Sequence, residues 1–404
     1  MSSMTSTTAV SQKNSNLGAA KATKNDEFYT QWADIEREMN AYLDYDPDVF
    51  RDKTILLPCD DPEWSNFAKF FALHFHDYGL KKLIATSYAP DSNPDLPSYQ
   101  PTLFETEAPQ FDATKTHSNG KLFVLDRDIN GDGIINIDDL QWEYLAGDGD
   151  FRSAEVTALR DEADIIITNP PFSQFRDFMA WLVDGRKRFS IIGSKNAITY
   201  KEIFPLIKSN ALWLGNGFAQ GNAYFRIPDG AENDYASGVY DEGTGLVKFR
   251  NVDWFTNIDH GRRHAPMDLM TTADNVKFSK HKEVRGVGYR TYDNYDAIEV
   301  PFSDAVPADH DGVMGVPISF LDRLNPDQFE IVGIAKAPLG QPSKLYPKQT
   351  QIDKKGIRSQ VTKLNDGPVI KVDEPPAGKT YYEVDGEYFV QLYARVLIRR
   401  KAGA

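Results

Sequence analysis

Asp164-Ile165-Ile166-Ile167-Thr168-Asn169-Pro170-Pro171-Phe172 joins an aliphatic run to a polar corner whose residue types suit one kind of chemistry. The carboxamide oxygen of Asn169 and the carbonyl of Pro170 are both acceptors. Together they can take the two hydrogens of an exocyclic aryl amine such as that of adenine. Such an amine is a poor nucleophile because its lone pair is delocalised into the ring. Accepting both hydrogens pulls the nitrogen toward tetrahedral geometry and aims the lone pair at an electrophilic methyl carbon. Pro170 and Pro171 fix the backbone, so the acceptors stand in place before a substrate arrives. Phe172 offers a ring for stacking on a base swung out of its helix. A loop that merely contains two prolines is the competing reading; the buried strand before it and the helix after it argue against that.

The elements that must position this corner are legible nearby. Residues 53–58 and 82–87 read as short buried strands, with an apolar helix over 66–78 between them. Trp32, Ile35, Met39 and Leu43 recur at helical spacing within 26–43. After the corner come a helix over 174–183, a strand over 189–193, a helix over 200–208 and a strand over 211–214. This alternation predicts an α/β fold with a parallel sheet covered on both faces. The Asn169 corner would lie at a carboxyl strand end, where such sheets bind ligands. Residues 89–120 read as loop and 138–145 as helix. Beyond residue 265 the chain turns to Asp, Pro, Lys and Gly with scattered short strands. The expected organisation is a disordered tail over 1–24, a catalytic domain over 25–265 and a smaller region over 266–404.

The chain has 404 residues, 41% hydrophobic and 26% charged, enough for a real core. It has no apolar run long enough to cross a bilayer, and its first 24 residues lack the apolar stretch of a secretory signal. One cysteine, Cys59, excludes an internal disulfide and fits a reducing cytoplasm. The net charge of −14 opposes nucleic-acid binding if averaged over the surface, so phosphate contact needs local cations. Arg262 and Arg263 are expected on phosphate in preference to a catalytic role for the histidines beside them. Lys277, Lys280, Arg285 and Arg290 interleave with aromatics as nucleic-acid grooves do, although a solvated strand face reads almost as well. Asn196, just after the strand over 189–193, is a candidate for holding a base or a plain surface turn.

A second motif has metal-ligand spacing. Asp128, Asn130, Asp132, Asn136 and Asp139 place side-chain oxygens at positions one, three, five, nine and twelve of an EF-hand-like loop. Gly133 stands at the turn and Ile134 at the backbone-carbonyl position. Two readings stand: a structural Ca2+ clip, or an Asp/Asn/Gly-rich turn that binds nothing. The loop is single where such loops usually pair, and cytoplasmic calcium is scarce.

Residues 143–145, 147–153, 164–175, 191–204, 254–264, 292–298 and 314–333 together resemble the EcoRI-type adenine-specific DNA methyltransferases, with residues 393–398 extending the likeness to the end. The resemblance implies a Rossmann-like methyltransferase domain that binds S-adenosyl-L-methionine, a smaller C-terminal target-recognition region, and action on a flipped adenine in double-stranded DNA. It implies a place in restriction–modification and no metal in the chemistry. It also implies cofactor contacts for Phe28, Tyr29 and Thr30, and for Asp150 and Phe151 beside the cofactor's adenine. The turn after the first strand departs from the pattern: its glycines are missing. Asp60 there could face the cofactor's positive charge or simply cap a helix. Methylation of an RNA adenine or a protein glutamine, which share the lone-pair problem, is the alternative; a calcium-dependent interaction module is a remote one.

Overall fold

A computed structural model describes residues 28–63, 65–92, 100–227 and 239–403. The expected tail, with Asn25, Asp26 and Glu27, lies outside the described residues. The chain forms two compact units, one of Met1–Met39, Asp48–Gly193 and Phe218–Asp253, the other of Asn40–Pro47, Ser194–Gly217 and Trp254–Ala404.

In chain order the first elements are β1 (Tyr29–Thr30), α1 (Trp32–Tyr45), β2 (Thr54–Pro58), α2 (Asn66–Leu73), β3 (Lys82–Ser87), α3 (Leu103–Thr106), β4 (Lys121–Leu125) and β5 (Gln141–Tyr144). There follow α4 (Ala154–Glu162), β6 (Ile165–Thr168), α5 (Phe175–Asp184), β7 (Arg188–Ser194), α6 (Phe204–Lys208), β8 (Trp213–Leu214), β9 (Ala223–Arg226), β10 (Tyr240–Asp241), β11 (Leu246–Phe249) and β12 (Val252–Thr256).

In the first unit the strand order is β5-β4-β3-β2-β6-β7. β2 runs parallel to β3 and β6, and β6 parallel to β7. Every residue of β2 and β6 is buried, as unbroken aliphatic runs covered on both faces should be. The chain leaves β2 toward β3 and later returns to its other side at β6. That reversal puts a topological switch point between the carboxyl ends of β2 and β6. The far edge differs from expectation. β4 and β5 form an antiparallel hairpin on β3, and residues 141–144 are strand, not helix. Their alternation explains it: Trp142 is buried while Gln141 and Glu143 are exposed. A smaller sheet, β1-β9-β11-β10, stands in the same unit.

In the second unit β8 and β12 pair antiparallel, and α7 (Thr272–Phe278) is a short exposed helix. A four-stranded sheet is formed by β13 (Ile298–Glu299), β14 (Met314–Pro317), β15 (Phe329–Ala335) and β21 (Arg395–Arg400). A buried Glu299–Arg395 ion pair of 2.7 Å joins two of its strands. A five-stranded sheet follows the order β17 (Arg358–Val361), β16 (Gln349–Ile352), β19 (Tyr381–Val384), β20 (Glu387–Gln391), β18 (Val369–Val372). One face of it packs Tyr346, Leu364, Val369, Tyr382 and Phe389 into a core. No helix among the described residues is long and apolar enough to cross a membrane.

Candidate active site

The corner sits where β6 ends. Thr168 Oγ1 lies 2.6 Å from the Pro58 carbonyl and 2.6 Å from Asp60 Oδ2, tying the end of β6 to the end of β2. Asp60 Oδ1 accepts from Ser65 Oγ at 2.6 Å, and Ser65 in turn caps α2 by accepting from the Phe67 amide. Burial pushes the Asp60 carboxyl up to about 7, against the lowering effect of those two hydroxyls. Asp60 is therefore a brace between strand ends, and the helix cap is Ser65. The turn lacking glycines is made by Cys59, which takes φ 76. A non-glycine residue there costs about 1–2 kcal/mol.

Asn169 follows. Its Nδ2 donates to the Phe28 carbonyl at 2.7 Å. A carbonyl can only accept, so the amide nitrogen must face Phe28 and the oxygen must face away. Asn169 Oδ1 is left buried with no partner. An acceptor buried without a donor costs about 1–3 kcal/mol, so this corner holds a demand for hydrogens that the described residues do not meet. Phe172 is 5% exposed. Phe28 stacks on it at 5.4 Å and 25°, and Phe225 and Phe249 meet it edge-on at 6.4 and 6.5 Å. A base could stack on Phe172 only on ring surface that Phe28 leaves uncovered. Phe28 thus serves the corner through its carbonyl and its ring. Sequence spacing gave no signal of this, because the two residues are 141 positions apart.

Around the switch point carboxyls outnumber cations: Asp61, Glu63 and Glu105 share Lys121. Burial pushes the Asp61 and Glu63 carboxyls up, with Lys121 lowering both less strongly. Glu63 Oε1 accepts from Thr102 at 2.7 Å, while Glu63 Oε2 is buried with no hydrogen-bond partner among the described residues. Lys121 is already held by Glu105 at 2.9 Å in a fully buried pair. Thr30 Oγ1 and Thr86 Oγ1, at the ends of β1 and β3, are also buried without partners. Tyr29 and Thr30 form β1, paired with Arg226 and Phe225.

Asp150 and Phe151 both have protein partners. Asp150 forms a side-chain ion pair with Arg152, which holds its carboxyl below the usual range. Phe151 is buried against Phe178 and Trp181 at 4.9 and 5.7 Å. Both are engaged by protein. The loop that carries them approaches Ser87 so closely that a Cβ on Gly149, at φ 85, would lie 2.3 Å from the Ser87 carbonyl oxygen.

The residues expected on DNA divide. The Arg263 guanidinium is buried, 3.8 Å over the Trp213 ring and within 3.3 Å of Asp259; it is spent inside the second unit. Arg262 donates to the Asn216 carbonyl. Lys277, Lys280, Arg285 and Arg290 are exposed, with Lys280 beside Asp304 at 2.7 Å. Asn196 is exposed in the single turn Lys195–Thr199.

In the calcium-like loop the oxygens are turned onto its own backbone. Asp128 accepts from the Gly131 and Gly133 amides, Asn130 from Asp132, Asp132 from Ile134, and Asn136 from Asp138. Asp139 accepts from Ile129, Asn130 and Asn136, and these bonds, that of Ile129 foremost, hold its carboxyl below the ordinary range. Among the described residues no group of three or more His, Cys, Asp or Glu is placed to hold a metal ion, so Ca2+ gains no support.

The acceptor-bearing corner thus lies at the carboxyl ends of the parallel strands of a mixed sheet. The comparisons with known proteins name the family. The family described as "Adenine-specific methyltransferase EcoRI" matches residues 16–401. The type II methyltransferase M.EcoRI of Escherichia coli is 38% identical over 321 residues, 79% of this chain and 89% of that protein. M.MpnI of Mycoplasma pneumoniae is 33% identical over 79% of this chain and 85% of its own length. No solved structure matches. The chain belongs to the EcoRI family of adenine-specific methyltransferases, and it is a site-specific DNA adenine methyltransferase.

Family membership implies S-adenosyl-L-methionine, and the switch point fits such a ligand. Burial raises the Asp61 and Glu63 carboxyls although Lys121 lowers both, a sulfonium and an ammonium would favour their charged forms, and among the described residues Thr30 Oγ1, Thr86 Oγ1 and Glu63 Oε2 are buried without hydrogen-bond partners.

Proposed function

We propose that Asn169 Oδ1 and the Pro170 carbonyl accept the two amine hydrogens of an adenine flipped out of duplex DNA, and that this activates the nitrogen for methylation. The observation that carries the reading is the fixed carboxamide: Phe28 holds its nitrogen, and its buried oxygen has no other partner. The cofactor, when bound, supplies the electrophilic methyl. Asp61 and Glu63 would face its cationic groups, and the hydroxyls of Thr30 and Thr86 would hold its polar end. Asp60 and Thr168 keep the two strand ends at fixed spacing, so that acceptors and cofactor share one frame. Under this reading residues 25–265 hold a Rossmann-like methyltransferase domain and residues 266–404 a DNA-recognition region in which Lys277, Lys280, Arg285 and Arg290 meet phosphate.

The test is transfer of a labelled methyl group from the cofactor to duplex DNA, RNA and protein, followed by single-molecule sequencing of the DNA. Methyl groups should appear on adenine in duplex DNA, and Asn169→Ala should remove them while cofactor binding persists. Undiminished transfer by Asn169→Ala would reject the assigned role.

A further inference from the structure

With Arg263 spent internally, a chain of net charge −14 still has to meet a polyanion. One edge hairpin of the C-terminal five-stranded sheet gathers cations locally. Between residues 353 and 363 four cations (Lys354, Lys355, Arg358 and Lys363) stand against one acid, Asp353, while Lys344 upstream is held by Asp293 at 2.6 Å. Asp353 does not neutralise them. Its Oδ1 accepts from the Lys355 and Ile357 amides, each at 2.8 Å, while the Gly356 amide donates to the Asp353 carbonyl at 3.0 Å. Asp353 builds the turn between β16 and β17, with Gly356 at φ 81. Lys354 and Lys355 project from a fixed backbone and make no ion pair among the described residues. Residues 354–360 are all exposed.

β17 is an edge strand, and its register with β16 sorts the side chains. Thr350 lies opposite Gln360, and Ile352 opposite Arg358, so Thr350, Arg358 and Gln360 share one face. The other face carries Gln349 and Val361 toward the core. Gln360 Nε2 donates to Thr350 Oγ1 at 2.9 Å, and Arg358 Nη2 reaches Glu383 at 2.9 Å across a solvent-exposed pair. Such pairs are weak enough to be exchanged for a ligand. Arg, Gln and Thr are among the side chains that read base edges, and β17, paired only with β16, presents Arg358 and Gln360 at the open edge of the sheet, whereas β16 is paired on both sides.

We propose that the edge strand β17 and the turn before it are a target-reading edge laid against the major groove of duplex DNA, with Lys354 and Lys355 on phosphates and Arg358 and Gln360 on base edges. The proposal rests on duplex DNA being the substrate. The full-length enzyme tests it through three variants: Lys354→Ala with Lys355→Ala, the same pair changed to Arg, and Gln360→Ala. Duplex affinity is measured from low to high salt, and methylated sites are mapped by sequencing. The alanine pair should weaken binding at every sequence and reduce the slope of log affinity against log salt by about 2, one per lost phosphate contact. The arginine pair should restore it. Gln360→Ala should keep the slope and relax the preference at one base position by roughly tenfold to a hundredfold. Unchanged thermal midpoints and cofactor binding show that the fold is intact. If wild type methylates duplex DNA and all three variants share its affinity, slope and site spectrum, the target-reading edge is overturned and the substrate reading survives. If wild type leaves every duplex unmethylated, both fall.

Discussion

Two oxygen-rich turns of the first unit both carry a ligand-binding pattern as strings of residues, and the fold treats them oppositely. In the loop over 128–139, Asp128, Asn130, Asp132, Asn136 and Asp139 all accept from the loop's own amides. At the corner over 168–172, the Phe28 carbonyl occupies the donor side of Asn169 and leaves Oδ1 buried with nothing to accept. The difference teaches that a polar motif acts on a ligand where the fold leaves its hydrogen-bonding capacity unmet at a cost. Where the backbone meets that capacity, the same residue types are a turn.

The comparison can be broken most sharply at Asn169. Asn169→Ala should lower kcat by about 100-fold to 1,000-fold or more, the scale on which a single preorganised transition-state hydrogen-bonding group acts. Cofactor affinity should stay within a few-fold of wild type by calorimetry. A kcat within threefold of wild type would mean that the open acceptor is incidental. Thr168→Val comes next. It keeps the shape but strips a hydroxyl from Pro58 and from buried Asp60. Chemical denaturation should show a loss of about 1–3 kcal/mol, and no loss would make the brace decorative.

Asp60 sharpens the same point through pH. Its folded pKa of about 7 lies above the ordinary 3.8, so folding favours the neutral acid. Its contribution is whole below pH 4 and is lost as pH rises through 7, by at most about 1.4 kcal/mol per pH unit. Asp60→Asn should erase that part of the slope, read as urea midpoints of variant and wild type at pH 5 and pH 8. Parallel profiles for the two proteins would contradict a buried, proton-holding Asp60. The smallest effect belongs to the self-satisfied loop. Asn136→Ala removes the cap of the turn Ile137–Asp139 and should cost about 1 kcal/mol. Methylation should be unaffected, and millimolar calcium should leave both thermal midpoints where they were. A midpoint raised by calcium in wild type alone would return the loop to the metal-binding class.

The sequence by itself determined the parallel core and the place of the corner. Strands over 54–58, 82–87 and 165–168 have aliphatic centres (Ile55–Leu57, Leu83–Ala85 and Ile165–Ile167), the pattern of short strands buried in a covered sheet. The Asn-Pro-Pro-Phe string announced its chemistry because its geometry is local, set by two rigid rings. What the tertiary structure alone decided is which side chains remain available. Asn169 became an oriented acceptor through a carbonyl 141 residues away, while Arg263 and Phe151 were withdrawn by stacking on Trp213 and packing against Trp181. Residues 141–144 carry a strand-like alternation, and pairing with β4 is what realises it. Spacing along a chain fixes what one segment can present; whether another segment consumes it depends on contacts that close only in the folded state.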